Sequence, residues 1–386
     1  MITADAHSAA ACRLLFRTAA GLAPDSEHEA PLVLTRSDID WTWLATYLTG
    51  CGLARPLLGV LATPAIAAHT PAAFRSTLTQ CGMVDVVRER ALRAAIARID
   101  AALHARGAKG VLLKGTALLM RTPVGAAPRA TGDVDVYVAP PAASRLRDDL
   151  LDAGFSGDRD AGRSSSHHLA PVASGGIDVE IHTRLMKAHW GLPEEALLAR
   201  AAPIDDTRAL RTLDAEGFVL HSLVHLTASF QSFGLKAAWD INAVLRATPA
   251  FDWNRLVEWG ASSALPRAFW GPFVALAEGV PLGVPADLLA RAPRDRGSRR
   301  MTALARARAF GATEGLFDLD AMSKTGFVLL LHDSWRGRLA FLGEAVGFRA
   351  GRPDTWQAAA GRARRSDMLR QVWRNYRTFR RLTQDA

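Results

Sequence analysis

Two aspartates, Asp133 and Asp135, are the residues whose type and spacing point most directly to chemistry. They lie in the segment GDVDVYVA (132–139), where polar and apolar residues alternate as in a half-buried strand. The alternation places both carboxylates on one face, roughly 7 Å apart. Hard cations such as Mg²⁺ prefer carboxylate ligands. Since exposed strand faces often carry acids, this pair alone is a weak indication of metal binding.

A second segment repeats the arrangement. In GGIDVEIHTRL (175–185), the polar residues Asp178, Glu180 and His182 share one face of a predicted strand. A third carboxylate beside the aspartate pair would complete a cluster able to hold two divalent cations, which phosphoryl and nucleotidyl transfer require. Glu180 and Asp178 are both candidates, although Asp178 could instead pair with an arginine.

The upstream segment LLKGTALL (112–119) predicts a phosphate-binding turn. Residues 111–113 indicate a short strand, Gly115 a tight turn, and the apolar run after Thr116 a helix. Free backbone N–H groups at a helix N-terminus suit phosphate, and Lys114 lies beside them. Alternatively, Lys114 packs its aliphatic stem at the helix start and extends its ammonium into solvent.

The periodicity along the chain predicts three regions. Apolar residues recur three and four apart over 37–106, and the helical pattern returns after about residue 207. Between them the periods shorten, and glycine, proline and arginine become frequent. We therefore expect an α+β fold with an N-terminal helical region (1–106), a mixed-sheet core (107–205) and a C-terminal helical region with a basic amphipathic tail (206–386).

The composition is that of a folded protein. Of 386 residues, 49% are hydrophobic and 22% charged, which excludes wholesale disorder. No apolar run approaches the roughly eighteen residues of a membrane span, and the N-terminus lacks a signal-peptide pattern. The three cysteines form neither a CxxC pair nor an even framework, so neither a structural zinc site nor disulfides are expected. These features predict a cytoplasmic protein.

The positive charge is concentrated in the tail. Residues 346–386 hold ten arginines and three aspartates, a net +7 of the formal +9 of the chain. Over 362–382 the apolar residues follow one helical stripe with arginines around it. Such a helix could dock on the core, bind nucleic acid or an acidic peptide, or lie on an anionic membrane surface. We favour docking.

These segments together resemble the nucleotidyltransferase superfamily that includes DNA polymerase beta. The closer resemblance is to the bacterial "uncharacterised nucleotidyltransferase" family. The matching features are LLKGTALL (112–119), R-x-x-G-D-V-D-V-Y-V (129–138), V-E-I-H (179–182), H-S-L-V-H (221–225), W-D-I (239–241) and F-D-W (251–253). The resemblance covers roughly residues 37–280. It implies a nucleotidyltransferase-fold mixed sheet flanked by helical regions.

The chain departs from the wider superfamily in three ways. The turn has Thr116 where serine or glycine is usual, although a hydroxyl is retained. Seventeen residues separate Gly115 from Asp133, a spacing that suits the closer family. The third acid is Glu180 rather than aspartate.

The resemblance implies that Asp133, Asp135 and Glu180 bind the metals. Glu180 would hold the metal near the acceptor and help to deprotonate it. His182 would orient Glu180 or contact the substrate, although a structural role on the strand face is an equal alternative.

The resemblance also implies how the triphosphate is bound. Gly115 and Thr116 would cradle it. Lys114 and Arg129 would neutralise its charge, the arginine through paired hydrogen bonds and the lysine as a point charge.

The implied activity is Mg²⁺- or Mn²⁺-dependent transfer of a nucleoside monophosphate from ATP or another nucleoside triphosphate to a hydroxyl or similar acceptor on a peptide or small molecule. One alternative is a kinase on the same fold that transfers the terminal phosphoryl group. Another is a non-catalytic nucleotide-binding module, against which the intact acids argue. A third is an RNA-modifying enzyme that uses the basic tail.

Three downstream residues have competing explanations. His221 and His225 lie four apart, a spacing compatible with metal, but no third ligand is near in sequence, so packing is favoured. Asp240 could face the cleft, cap a helix or form a salt bridge.

Overall fold

The computed structural model describes residues 6–23, 26–122, 129–161, 167–187, 190–229 and 234–309, together with five residues between 327 and 338. The basic segment 362–382 lies outside the described residues, so its predicted docking stays a prediction.

Helices build the N-terminal region, as the periodicity predicts. They are α1 (Ala6–Ala19), α2 (Ser26–Leu34), α3 (Trp41–Gly50), α4 (Ala54–Leu61), α5 (Pro64–Ala67) and α6 (Ala72–Ala105). The 34-residue α6 buries apolar side chains such as Ile96 and Ile99 along one face. It ends before Gly107, whose φ of +61° is a left-handed value that glycine adopts without strain.

A mixed six-stranded sheet is formed between residues 110 and 212. Its strands are β1 (Gly110–Leu112), β2 (Asp133–Val138), β3 (Val172–Ser174), β4 (Ile177–His182), β5 (Ala202–Pro203) and β6 (Leu210–Thr212). They lie in the order β3-β4-β2-β1-β6-β5. Three helices accompany them, namely α7 (Lys114–Met120), α8 (Pro140–Asp152) and α9 (Glu194–Ala199). The sheet continues to residue 212, beyond the limit of 205 expected for the core.

The two central strands explain the alternation in the sequence. Val134, Val136 and Val138 on β2 are fully buried, so the apolar face of the strand packs into the core. β2 runs parallel to β4, and the connection between them carries α8 and β3. β1 is antiparallel to β2 and parallel to β6. The polar faces of β2 and β4 therefore lie side by side.

The C-terminal region is again helical. It contains α10 (Ala215–Ala228), α11 (Gly234–Ala247), α12 (Trp253–Ser262), α13 (Pro266–Gly279), α14 (Ala286–Ala290) and α15 (Arg296–Ala309). Asp214 caps α10 by accepting a hydrogen bond from the Gly217 N–H. Buried apolar side chains from all three regions form one continuous cluster. The helices and the sheet that carries the acidic residues thus share one apolar core.

Polar contacts also join the helical and sheet regions. The Asp100 carboxylate on α6 accepts hydrogen bonds from the N–H groups of Arg208, Ala209 and Leu210 at the start of β6. Arg93, also on α6, donates to the carbonyl oxygen of Leu119 at the end of α7. These contacts hold α6 against the start of β6 and the end of α7.

Candidate active site

The parallel pairing of β2 and β4 brings the predicted acids together. Asp135 lies directly opposite Glu180, and Asp133 lies opposite Asp178. Among the described residues, Asp135, Glu180 and His182 each offer a ligand atom, and these atoms lie within 4.8 Å of one another. Two carboxylates and an imidazole this close fit a divalent cation.

Asp133 occupies a different position from Asp135. It is half-buried, whereas Asp135 is 1% exposed, and it is not part of the converging group. Burial and the neighbouring Asp135 carboxylate raise the pKa of Asp133. The predicted metal role of Asp133 stays a prediction, and the structure places this residue at the edge of the cluster.

Lys114 is the cation that balances the cluster. Its Nζ lies 2.6 Å from Asp135 Oδ1, and its side chain is 24% exposed. Its φ of +52° is a left-handed value, which is costly for a residue with a side chain. Burial would lower the pKa of Lys114, but the carboxylates, Asp135 foremost, raise it. The turn therefore holds a protonated ammonium against the acids.

Asp135 and His182 form the buried half of the cluster. His182 Nε2 lies 2.9 Å from Asp135 Oδ1 and 3.6 Å from Glu180 Oε2. Although burial would raise the pKa of Asp135, the Lys114 ammonium and the His182 hydrogen bond bring it well below its usual range. Burial would likewise lower the pKa of His182, but its contacts with the two carboxylates raise it. Asp135 is thus held as a carboxylate.

Glu180 faces the solvent side. Its side chain is 34% exposed, against 3% for His182. The nearby His182 ring nitrogen lowers the pKa of Glu180 despite the opposing effect of burial. Of the two convergent carboxylates, it is the one that an incoming molecule could reach.

Gly115 and Thr116 are the second and third residues of α7, so the helix begins earlier than predicted, and the left-handed residue is Lys114 rather than Gly115. A Cβ at Gly115 would be 2.1 Å from Thr131 Oγ1 and 2.7 Å from Arg129 Nη2, so no larger residue fits without displacement. The fully buried Thr116 hydroxyl donates to the Asp133 carbonyl oxygen at 3.2 Å and so joins α7 to β2. The triphosphate contacts predicted for these residues stay predictions, since the contact observed for this hydroxyl is with the strand.

Arg129 forms a buried pair with Asp240. Its Nε and Nη2 donate to the two carboxylate oxygens at 2.5 and 2.6 Å, and the side chains are 2% and 7% exposed. Of the three explanations for Asp240, the salt bridge is observed. The predicted phosphate contact of Arg129 stays a prediction, but its guanidinium is directed at α11, which makes it a structural link between that helix and the sheet region.

Four further histidines of the described chain lie near the cluster without joining it. The rings of His167 and His168 lie 5.5 and 5.6 Å from the His182 ring. His221 and His225 are stacked with centroids 6.0 Å apart, and His221 Nε2 lies 3.3 Å from the Leu185 carbonyl oxygen. The favoured explanation for this second pair, packing, agrees with that placement.

Lys236 was not singled out from the sequence. It lies on α11, one helical turn before Asp240. The neighbouring Arg129 and burial lower the pKa of Lys236, while Asp240 and Asp133 oppose this effect. The i,i+4 spacing of Lys236 and Asp240 was visible in the sequence, but nothing there placed the pair near Asp133.

Comparison with known proteins gives the family. A family model described as "Uncharacterised nucleotidyltransferase" matches residues 37–275. The chain belongs to this family. The predicted resemblance and the predicted fold are thereby confirmed. Searches of curated proteins and of solved structures found no match.

Membership in the nucleotidyltransferase family indicates which ligands the acidic cluster serves. The family implies a nucleoside triphosphate substrate and a divalent metal. The matched residues include every strand and helix that carries Lys114, Asp135, Glu180 and His182. In the described part of the chain, none of the helices is sufficiently long and apolar to span a membrane.

Proposed function

We propose that this protein transfers a nucleoside monophosphate from ATP or another nucleoside triphosphate to a hydroxyl group of a peptide or small molecule. The observation that carries the proposal is the convergence of Asp135 and Glu180 on adjacent parallel strands, with the Lys114 ammonium against them. In a nucleotidyltransferase-family fold, this arrangement suits triphosphate held beside divalent cations.

Asp135 and Glu180, with Asp133 at the edge and His182 beside them, would hold the metal. When bound, a divalent cation would neutralise triphosphate oxygens. The acceptor oxygen attacks the α-phosphorus, the bond from that phosphorus to the bridging oxygen breaks, and pyrophosphate leaves. Glu180, the exposed carboxylate of the group, receives the proton of the acceptor hydroxyl and passes it to solvent.

Lys114 has the position of a phosphate-binding cation. It lies at the first residue of α7, and its ammonium contacts the acidic cluster. A phosphate bound at the cluster would be neutralised by this ammonium. Lys236 lies on α11 and is close to Asp133. It would add a second positive charge from the C-terminal helices.

The helical regions would form the walls of the acceptor cleft. We propose region boundaries at 1–106, 107–205 and 206–386, with the last strand of the sheet contributed by the C-terminal region. A peptide or small-molecule acceptor suits such a walled cleft. Nucleic-acid binding through the tail is the less favoured possibility.

The test is to incubate the purified protein with Mg²⁺ or Mn²⁺ and ATP labelled at either the α- or the γ-phosphate. Candidate peptides and hydroxyl-bearing small molecules serve as acceptors. The proposal expects α-label on product, lost in Asp135→Asn and kept in Asp178→Asn, an exposed acid on the same strand as Glu180. Transfer of γ-label would instead make the protein a kinase. ATP binding without Asp135-dependent transfer of either label would favour a binding module.

A further inference from the structure

The donor set that converges in the structure is not the one predicted from the sequence. Asp133, Asp135 and Glu180 would offer only oxygen, whereas the observed group is Asp135, Glu180 and His182. An all-oxygen set suits Mg²⁺, but an imidazole nitrogen raises the affinity for first-row transition ions. Replacing one carboxylate by one imidazole therefore bears on which cation the site prefers.

His182 is placed so that a ring nitrogen faces both carboxylates. It ends β4, is 3% exposed, and packs against the rings of His167 and His168. Nε2 is the atom near Asp135 and Glu180, at 2.9 and 3.6 Å. Nδ1, on the other side of the ring, has no hydrogen-bond partner among the described residues. In the contact with Asp135, Nε2 carries the ring proton, because a carboxylate can only accept. A cation bound here would take the place of that proton on the Nε2 lone pair, and the proton would move to Nδ1 or to solvent.

We propose that this site takes a first-row transition ion, for which Mn²⁺ is the probe, in preference to Mg²⁺, and that His182 Nε2 is a ligand with Asp135 and Glu180. The inference rests on the metal site of the proposed function, but not on the reaction carried out there. It names the chemical class of the cation, and it assigns His182 a place among the metal ligands rather than among the substrate contacts.

Lys114 then competes with the cation. Its Nζ lies 2.6 Å from Asp135 Oδ1, the same oxygen that His182 Nε2 approaches. A cation bound to that oxygen displaces the ammonium, which becomes available to phosphate. Removing the ammonium with Lys114→Met is therefore expected to tighten Mn²⁺ binding by about tenfold, since it removes a competing charge and no ligand.

The experiment is a titration of the full-length protein with Mn²⁺, followed by the electron paramagnetic resonance signal of the free ion. The signal is expected to fall as Mn²⁺ binds, and a roughly tenfold excess of Mg²⁺ should leave most Mn²⁺ bound. The electron spin-echo modulation of bound Mn²⁺ should contain the coupling of a directly ligated imidazole ¹⁴N. This second measurement needs no variant, so it shows whether an imidazole binds the ion even if substitution of a buried histidine prevents folding.

Two variants sharpen the result. His182→Asn should weaken Mn²⁺ binding by at least about tenfold and Mg²⁺ binding much less, while His168→Asn, which changes the neighbouring ring, should alter neither. Displacement of Mn²⁺ by an equal concentration of Mg²⁺, or absence of ¹⁴N coupling in the unmodified protein, would overturn the proposal. Bound Mn²⁺ with ¹⁴N coupling but no α-label transfer would refute the proposed reaction alone. Transfer without ¹⁴N coupling would refute only the present inference.

Discussion

Two cation–carboxylate pairs lie close to the acidic cluster, and they differ in geometry. Lys114 meets Asp135 through one ammonium contact, from a strained backbone, with a quarter of its side chain exposed. Arg129 meets Asp240 through two parallel hydrogen bonds, and both side chains are almost fully buried. A single ammonium contact can be exchanged for a metal or a phosphate. A buried bidentate pair cannot be opened without leaving a charge unpaired.

The difference indicates that the lysine pair serves ligand binding and that the arginine pair serves the stability of the fold. The lysine pair connects the turn at α7 to the face of the sheet where the acids converge. The arginine pair connects residues 111 positions apart and holds α11 against the chain just before β2. We infer that loss of the first pair alters chemistry at little cost in stability, and that loss of the second alters stability first.

Asp135→Asn should have the largest effect. It removes a buried ligand at the centre of the cluster, so α-label transfer should fall by roughly 10³-fold. The variant should remain folded because its partner, Lys114, can turn to solvent. Initial rates beside those of Asp178→Asn measure the effect. Equal losses in both variants would show that the total negative charge on the polar face of β2 and β4, and not Asp135 in particular, supports activity.

Asp240→Asn should lower the free energy of unfolding by about 3 kcal/mol, because the buried Arg129 guanidinium loses its charged partner. Urea unfolding followed by circular dichroism measures this value. The double variant with Arg129→Met should recover part of the loss, since it removes the stranded charge. An unchanged unfolding midpoint in Asp240→Asn would contradict the architectural role of the pair.

Gly115→Ala should destabilise the fold by about 2 kcal/mol, because its Cβ would meet Thr131 and Arg129 at less than 3 Å. Its effect should be less than additive with that of Asp240→Asn, since both disturb the same guanidinium. Gly59→Ala is the matched control: it lies within α4 with nothing within 4 Å of the added Cβ, and should stabilise slightly. If the two changes in unfolding free energy were strictly additive, Gly115 and the Arg129–Asp240 pair would contribute to stability independently.

Lys114→Gly should change the free energy of unfolding least, by under about 1 kcal/mol. Glycine relieves the left-handed backbone, and this gain offsets the lost ion pair. Transfer should still fall, because the phosphate-binding charge is gone. Thermal unfolding and initial rates on one preparation test both statements. A loss of stability as large as that of Asp240→Asn would show that the Lys114–Asp135 pair, like the Arg129–Asp240 pair, mainly stabilises the fold.

Local patterns predicted the strands and their polar faces well. The alternation over 132–139 and 175–185 corresponds to β2 and β4. The helix predicted after Thr116 is also present, but it begins at Lys114 and includes Gly115, for which a tight turn was predicted. These features depend on neighbouring residues, so they can be deduced from spacing. The family motifs added the expectation that the acids act together, and the parallel register of Asp135 with Glu180 agrees with it.

Long-range partners could not be deduced in this way. No pattern links Arg129 to Asp240, and the sequence could not tell that His182, rather than Asp133, converges with Asp135 and Glu180. Both facts depend on how α11 and the two strands pack. The burial of the Thr116 hydroxyl against β2 likewise follows from tertiary contact and not from its place in the turn.

The most direct test of the central claim is the anomalous diffraction signal of Mn²⁺ in crystals of the full-length protein grown with a non-hydrolysable nucleoside triphosphate. We expect a peak bounded by Asp135, Glu180 and His182, with the triphosphate beside it and the Lys114 ammonium turned from Asp135 towards phosphate. A bound nucleotide whose Mn²⁺ peak lies away from these three residues, with the Lys114–Asp135 contact intact, would contradict the account.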